Sequence, residues 1–419
     1  MLQDGRWDSD LRESAGMKLG EMVSLVRGNT YKSSLLSETD GPVLLGLGSI
    51  ERGGGFKRGS WKRYSGYTDI KILLHPGDIY VSLKDLTQSC DLLGAVSRVP
   101  ANLPVGRLTQ DTVKLEFSNN VSEQERLYVY WSLRTPQYRA YCKAHGTGTT
   151  NMSLSRADFL AWELPPRSPV RDTLIALFEL IDEKIELNNQ LNGYLEELLF
   201  AKYDELFPAE SEHDGTLSDI GTVVGGATPS KKRAEYYCEN GIGWITPRDL
   251  SNSSDKFISQ GAVDLTEEGY SSCSAKLLPA GSVLFSSRAP IGYVAIAAAN
   301  VATNQGFKSI VPKEEFGTAF AYCFLVRHKK KIADMGAGTT FPEVSGSMMK
   351  SVPLSLPSEQ LCSEFSAFAH PILEQQKSLE LENRNLCLLR AALLPKLMSG
   401  EVDVSKVDLT QLNSHLADC

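Results

Sequence analysis

The chain has 419 residues, 42% hydrophobic and 22% charged, the composition of a soluble globular protein too long for one hydrophobic core, so two or more domains are expected. Its net charge of −8, taken whole, argues against a polyanion partner. No run of 18 apolar residues occurs, and the N-terminus MLQDGRWDSD has no basic flank before an apolar core, so neither a membrane-spanning nor an evidently secreted protein is expected.

In chain order, residues 1–18 read as a poorly ordered leader without periodicity. Residues 19–165 form a first module of short apolar runs punctuated by glycine: PVLLGLGSI (42–50), GDIYVS (77–82), LLGAVSRV (92–99) and TVKLEF (112–117). Such runs are strands separated by turns. One helix is expected from Glu125 to Cys142, followed by the turn Gly146-Thr147-Gly148-Thr149-Thr150, with Pro165, Pro166 and Pro169 closing the module. A long helix spans 166–207. Leu174, Ile181, Asn188 and Leu195 recur every seven residues, and Leu177, Leu191 and Leu198 form a second line that Lys184 interrupts. That is a coiled-coil seam with one polar position able to fix register.

A linker (208–216) leads to a second module over 217–357, a second long helix over 358–400 and a tail over 401–419. The second helix repeats the heptad with Phe365, Ile372, Leu379, Leu386 and Leu393, flanked by Phe368 and Leu389. The second module also repeats the phrases of the first. GIGWITPRDL (241–250) sits where PVLLGLGSI sat, GSVLFSS (281–287) answers GDIYVSL, and PIGYVAIA (290–297) answers LLGAVSRV. Asn304-Gln305 answers Thr109-Gln110, Gly336-Ala337-Gly338-Thr339-Thr340 repeats the earlier turn, and LSLP (354–357) answers WELP (162–165). Several phrases in one order, offset by about 200 residues, identify a duplicated unit of module plus helix.

Two like modules on paired helices suit a target carrying two separated marks, such as DNA half-sites about 34 Å apart. Charge is distributed accordingly: net +2 over 1–165, −8 over 166–215, +2 over 216–356 and −4 over 357–419, so the acidity lies in the helical pieces and their tails. In the first module Lys57, Arg58, Lys62 and Arg63 surround Trp61 in a Gly-rich stretch. In the second, Lys231, Lys232, Arg233 and Arg248 are the counterparts. Lys and Arg neutralise phosphates, and by residue type Arg63, Arg98, Arg288, Asn252 and Gln305 are candidate base readers. For each, an ordinary solvated side chain is the competing reading. Lys329-Lys330-Lys331 reads first as the charged end of a helix.

Catalytic patterns are missing. The histidines lie singly, and neither G-x-G-T-T turn continues into a P-loop or a dinucleotide fingerprint, so both read as structural corners. The eight cysteines (Cys90, Cys142, Cys238, Cys273, Cys323, Cys362, Cys387, Cys419) include no C-x-x-C pair. Reduced thiols of a cytoplasmic protein are expected, and no metal site.

The order module, helix, module, helix carries the phrases LSDIGTVVGGATPSKK, WITPRDL, LPAGSVLFSSRAPIGYVAI, TNQGF, GAGTT and LPSEQ, and a Leu-rich helix ending LLPKLMSGEV. Over about residues 19–404 it resembles the DNA specificity (S) subunit of type I restriction-modification systems. The first half is blurred, since GDIYVSLKD lacks the S-S-R and GTGTTNMS replaces G-A-G-T-T-F. The resemblance implies an α+β (mixed α/β) fold in which two similar target recognition domains, an internal pseudo-two-fold repeat, are separated by two long helices forming an antiparallel coiled coil. Leu174, Ile181, Leu195, Ile372, Leu379 and Leu386 match its seam. It implies a non-enzymatic protein that reads a bipartite double-stranded DNA target and docks two methyltransferase subunits. Those partners carry S-adenosylmethionine, and a restriction subunit using ATP and Mg can join. The alternatives are a reader for a system with fused methylation and cleavage, or a coiled-coil scaffold that binds no DNA.

Overall fold

The computed structural model describes residues 16–57, 59, 61–208, 214–253, 255–288, 290–336 and 342–400. Most of the expected leader, Arg58, linker residues 209–213, most of the second G-x-G-T-T turn and the tail from 401 lie outside the described residues. The chain divides into two compact units, Met1–Lys184 with Leu386–Cys419, and Ile185–Asn385. Both divisions fall inside long helices, so each helix contributes one part to each unit.

The first unit opens with β1 (Met17–Lys18), α1 (Leu19–Met22) and β2 (Val23–Arg27), followed by β3 (Val43–Leu45), β4 (Arg63–Tyr64), β5 (Ile79–Ser82) and β6 (Val96–Arg98). Next come β7 (Gly106–Leu108), β8 (Thr112–Phe117), α2 (Glu123–Ser132), α3 (Pro136–His145), α4 (Arg156–Leu160), β9 (Glu163–Leu164) and α5 (Pro169–Leu206). One sheet has the order β2-β8-β5-β6, antiparallel throughout. Its central strand β5 is buried at all four positions, as a strand covered on both faces must be. A parallel pair, β3 with β7, lies in a second sheet.

The second unit repeats this plan. It runs β10 (Gly215–Thr216), α6 (Leu217–Ile220), β11 (Gly221–Gly225), β12 (Tyr237–Cys238), β13 (Gly243–Ile245), α7 (Pro247–Asn252) and β14 (Phe257–Ile258). There follow β15 (Val283–Phe285), β16 (Val294–Ala297), β17 (Val301–Thr303), β18 (Lys308–Pro312), α8 (Gly317–Asp334), α9 (Gly346–Lys350), β19 (Pro353–Leu354) and α10 (Glu359–Ser399). The sheet β11-β18-β15-β16-β14 matches the first unit's with one added strand. The parallel pair β13 with β17 matches β3 with β7, and the antiparallel pair β10 with β19 matches β1 with β9. Met17, Lys18, Gly215 and Thr216, given by the sequence to leader and linker, are thus strand residues that close each module on itself.

The single helix expected from Glu125 to Cys142 is two helices. Thr135 is extended, with φ −68° and ψ 149°, and caps α3 through its side chain, while Pro136 occupies the first helical position. Proline has no N–H to continue the preceding helix and pushes the residue before it out of helical conformation. The equivalent α8 lacks proline and runs unbroken for 18 residues.

Each core incorporates both long helices. In the first unit Trp131, Tyr138, Phe159 and Phe178 pack with Leu174, Ile175 and Leu397. In the second, Phe200, Tyr203, Phe320 and Phe365 pack with Leu199 and Ile372. The helices run antiparallel in both: Arg171 donates to the Leu397 and Met398 carbonyls at 2.9 and 2.8 Å, and Lys202 lies 3.7 Å from Glu364.

Candidate nucleic-acid interface

In the second unit several loops converge. At the end of β13, Thr246 and Asp249 form a capping box, the Thr246 N–H and hydroxyl donating to Asp249 at 2.7 and 2.6 Å. This starts α7 with Pro247 in its first turn and leaves Arg248 and Asn252, four residues apart, both exposed. The Asn304-Gln305-Gly306 turn after β17 lies against it. Asn304 N–H donates to the Ile245 carbonyl at 3.0 Å, and a Cβ on Gly306 would come within 2.9 Å of the Pro247 ring. Gln305 accepts from the Thr228 hydroxyl, so the 227–233 loop joins the same face. Ser287 N–H donates to the Gly306 carbonyl at 2.7 Å and brings in Arg288, which lies 3.8 Å from Glu343. Arg248, Asn252, Arg288 and Gln305 therefore sit on adjoining loops, continuous with the loop that bears Lys231, Lys232 and Arg233. Arg233 lies over Tyr236 and 3.3 Å from Glu235.

The first unit builds an equivalent face with different side chains. Gly28 packs on the Thr109 carbonyl so closely that a Cβ would lie 2.1 Å from it, and Thr112 donates to the Leu45 carbonyl at 2.8 Å. These contacts bind the ends of β2, β3 and β7 together. Lys57 and Lys62 are exposed. Arg63 donates to the Gly41 carbonyl at 3.0 Å. Trp61 is half-buried, edge-on to Phe56 and packed on the core beneath, so it anchors this stretch.

Arg98 does not join them. Its guanidinium grips both carboxylate oxygens of Glu179 on α5 at 3.0 and 2.8 Å and lies over the Tyr130 ring. Glu179 also accepts from the Trp131 indole at 2.6 Å. Arg98 thus fastens the module to its own helix, through a charge partner that the local sequence does not reveal.

Along the helices Leu174, Ile181, Asn188, Ile372 and Leu379 are buried, and Leu195, Leu386 and Leu393 are partly so. The second line divides. Leu177 is buried, but Leu191 and Leu198 are 43% and 49% exposed and join Leu187 and Tyr194 in an open apolar stripe. Asn188 takes its expected polar place in the contact, and a further polar layer accompanies it. Asn188 donates to Glu382 and Asn383 at 2.7 and 2.9 Å, and Lys256 pairs with Glu196 and donates to Gln376 at 2.5 Å. Glu380 accepts the backbone N–H groups of Lys256 and Phe257 at 2.9 and 3.0 Å, while burial pushes its carboxyl above the usual range. This layer escaped the sequence reading, although Asn188, Asn192 and Glu196, spaced by four, mark a polar helical face.

Among the described residues no group of three or more His, Cys, Asp or Glu is placed to hold a metal ion. No described helix is long and apolar enough to cross a membrane.

Two modules of one topology, each sealed onto a pair of antiparallel helices and each carrying a loop-built polar face, define a duplicated α+β protein with two long helices. Residues 210–383 match the type I restriction modification DNA specificity domain. The type I restriction enzyme MjaIX specificity subunit of Methanocaldococcus jannaschii is 40% identical over 167 residues, 38% of this chain and 38% of that protein. The HindI specificity subunit of Haemophilus influenzae is 27% identical over 314 residues, 69% of this chain and 64% of the relative. The chain thus spans less than two thirds of either relative. Its fold is that of the S subunit of a type I restriction-modification system from M. genitalium, with a TM-score of 0.52 at 15% identity over 91% of this chain and 95% of that one.

Proposed function

We propose that this chain is the DNA-reading, non-catalytic subunit of a cytoplasmic type I restriction-modification complex. The observation that carries the proposal is the match of residues 210–383 to a DNA specificity domain, in a chain whose first unit repeats the strand order of the second. Each module reads one half of an interrupted duplex target. Lys57, Arg58, Lys62 and Arg63 contact the first half-site; Lys231, Lys232, Arg233, Arg248, Asn252, Arg288 and Gln305 contact the second. The Arg288–Glu343 pair is long and part-exposed, so a phosphate displaces the carboxylate at small cost.

Methylating a base inside a duplex requires extruding it into a catalytic pocket. Two methyltransferase subunits that carry S-adenosylmethionine perform that step, docked on the helices, where Leu187, Leu191, Tyr194 and Leu198 offer an apolar surface. A restriction subunit using ATP and Mg can join the assembly.

The test is to express the chain with its methyltransferase in a host and sequence the methylome. A single interrupted motif, absent from a host with the methyltransferase alone, is expected. A methylation pattern indifferent to this chain refutes the reading.

A further inference from the structure

In both modules the loop that follows the first long strand is held from beneath by a buried side-chain donor resting on a tyrosine. The first module uses Arg107, 1% exposed at the centre of β7. Its guanidinium donates to the Asn29 side chain and, at 3.0 Å, to the Thr30 carbonyl. It lies over the Tyr64 ring, 4.6 Å from the centroid, and Tyr64 in turn meets Tyr31 edge-on at 6.3 Å. The second module uses Trp244, 7% exposed on β13. Its indole N–H donates to the Ala227 carbonyl at 3.1 Å, with Tyr237 5.8 Å away ring to ring. The Tyr237 hydroxyl donates to the Pro229 carbonyl at 2.9 Å.

The exchange is reciprocal within the matched parallel ladders. Arg107 stands opposite Leu44 on β3, whereas Ala302 stands opposite Trp244 on β13. The bulky donor has changed strands, and the space facing it holds a smaller residue in each case. Residues 29–31 and 227–229 lie at the same distance beyond α1 and α6, and each loop borders its module's face: Asn29 is bridged to Thr109, and Thr228 donates to Gln305. Among the described residues the Arg107 Nε has no partner, while the guanidinium also donates to the Leu108 carbonyl of its own strand at 3.1 Å, which holds the fork in place beneath the loop.

We infer that Arg107 and Trp244 are positioning residues that fix the backbone of residues 29–31 and 227–229 and thereby set which half-site sequence each module accepts. This rests on the proposed DNA reading. Thr30, Tyr31 and Thr228 meet the duplex, and the prop decides their height and angle. Because one prop is a charged fork and the other a single N–H on a rigid ring, the two loops are held in different shapes on a shared fold.

The experiment selects preferred sequences from a randomised duplex pool with the full chain and its methyltransferase partner, comparing parent, Arg107→Lys and Trp244→Phe. Trp244→Phe keeps an aromatic ring and removes the N–H; Arg107→Lys keeps the charge and removes the fork. Each is expected to lower discrimination about tenfold at its own half-site and leave the other unchanged, with the melting temperature recorded alongside. Unchanged preference at both half-sites overturns the inference. So does equal loss at both with a lowered melting temperature, which marks a role in folding only. A parent that selects no sequence overturns the proposed function itself.

Discussion

The side-chain amide of Asn188 donates to the Oδ1 of Asn383 at 2.9 Å between α5 and α10. Asn188 is 3% exposed in a heptad line of α5 otherwise built from Leu and Ile, and a buried amide tolerates only the register that supplies its partners. Asn188→Ala is expected to lower stability by about 1–3 kcal/mol, seen as a lower urea midpoint. An unmoved midpoint would mean that the amide contributes nothing.

Glu380 holds the 256–258 segment to α10 by accepting two backbone N–H groups. Glu380→Ala strands both, at a cost of roughly 1–3 kcal/mol each. Hydrogen exchange at Lys256 and Phe257 should accelerate far more than in the β15–β18 ladder. Uniform acceleration across the unit would show that the carboxylate does not act locally.

Salt dependence separates phosphate contacts from structural arginines. Each lost phosphate contact reduces the slope of log K against log salt by about 0.9. Lys62→Ala and Arg248→Ala are each expected to show this reduction. Arg98→Ala should leave the slope alone and cost about 1–3 kcal/mol in unfolding, since it leaves Glu179 part-buried and short of a charge partner.

The stripe Leu187, Leu191, Tyr194 and Leu198 is open in this chain. Leu191→Glu is expected to abolish co-purification of the methyltransferase while moving stability by no more than about 0.5 kcal/mol, as for an exposed substitution. Intact co-purification would place docking elsewhere.

Thiol labelling reports burial. Burial pushes the Cys142 and Cys362 thiols up to about 11 and raises that of Cys323 as well, so at pH 8 all three remain neutral and enclosed. Cys387 is exposed on α10. In a Cys419→Ser background, Cys387 should label within minutes, while Cys142, Cys323 and Cys362 label only on adding denaturant. Early labelling of Cys323 would contradict its packing.

The sequence by itself determined the duplication, the helices and their seam, because hydrophobic period and repeated phrases are local or regularly spaced signals. Asn188 was legible as the polar seam position from its place in a heptad of Leu and Ile. Tertiary structure alone decided which charges remain free for a partner. Arg98 and Lys62 are alike in a string of letters, yet Glu179, about 80 residues along the chain, claims one and leaves the other in solvent. It also decided that Leu191 faces outward, although its heptad place set it on the line beside the seam, while Glu196, Lys256, Gln376 and Glu380 form a polar layer inside the helix contact. Pairings of that kind depend on distance in space, and one strand or helix read alone does not encode them.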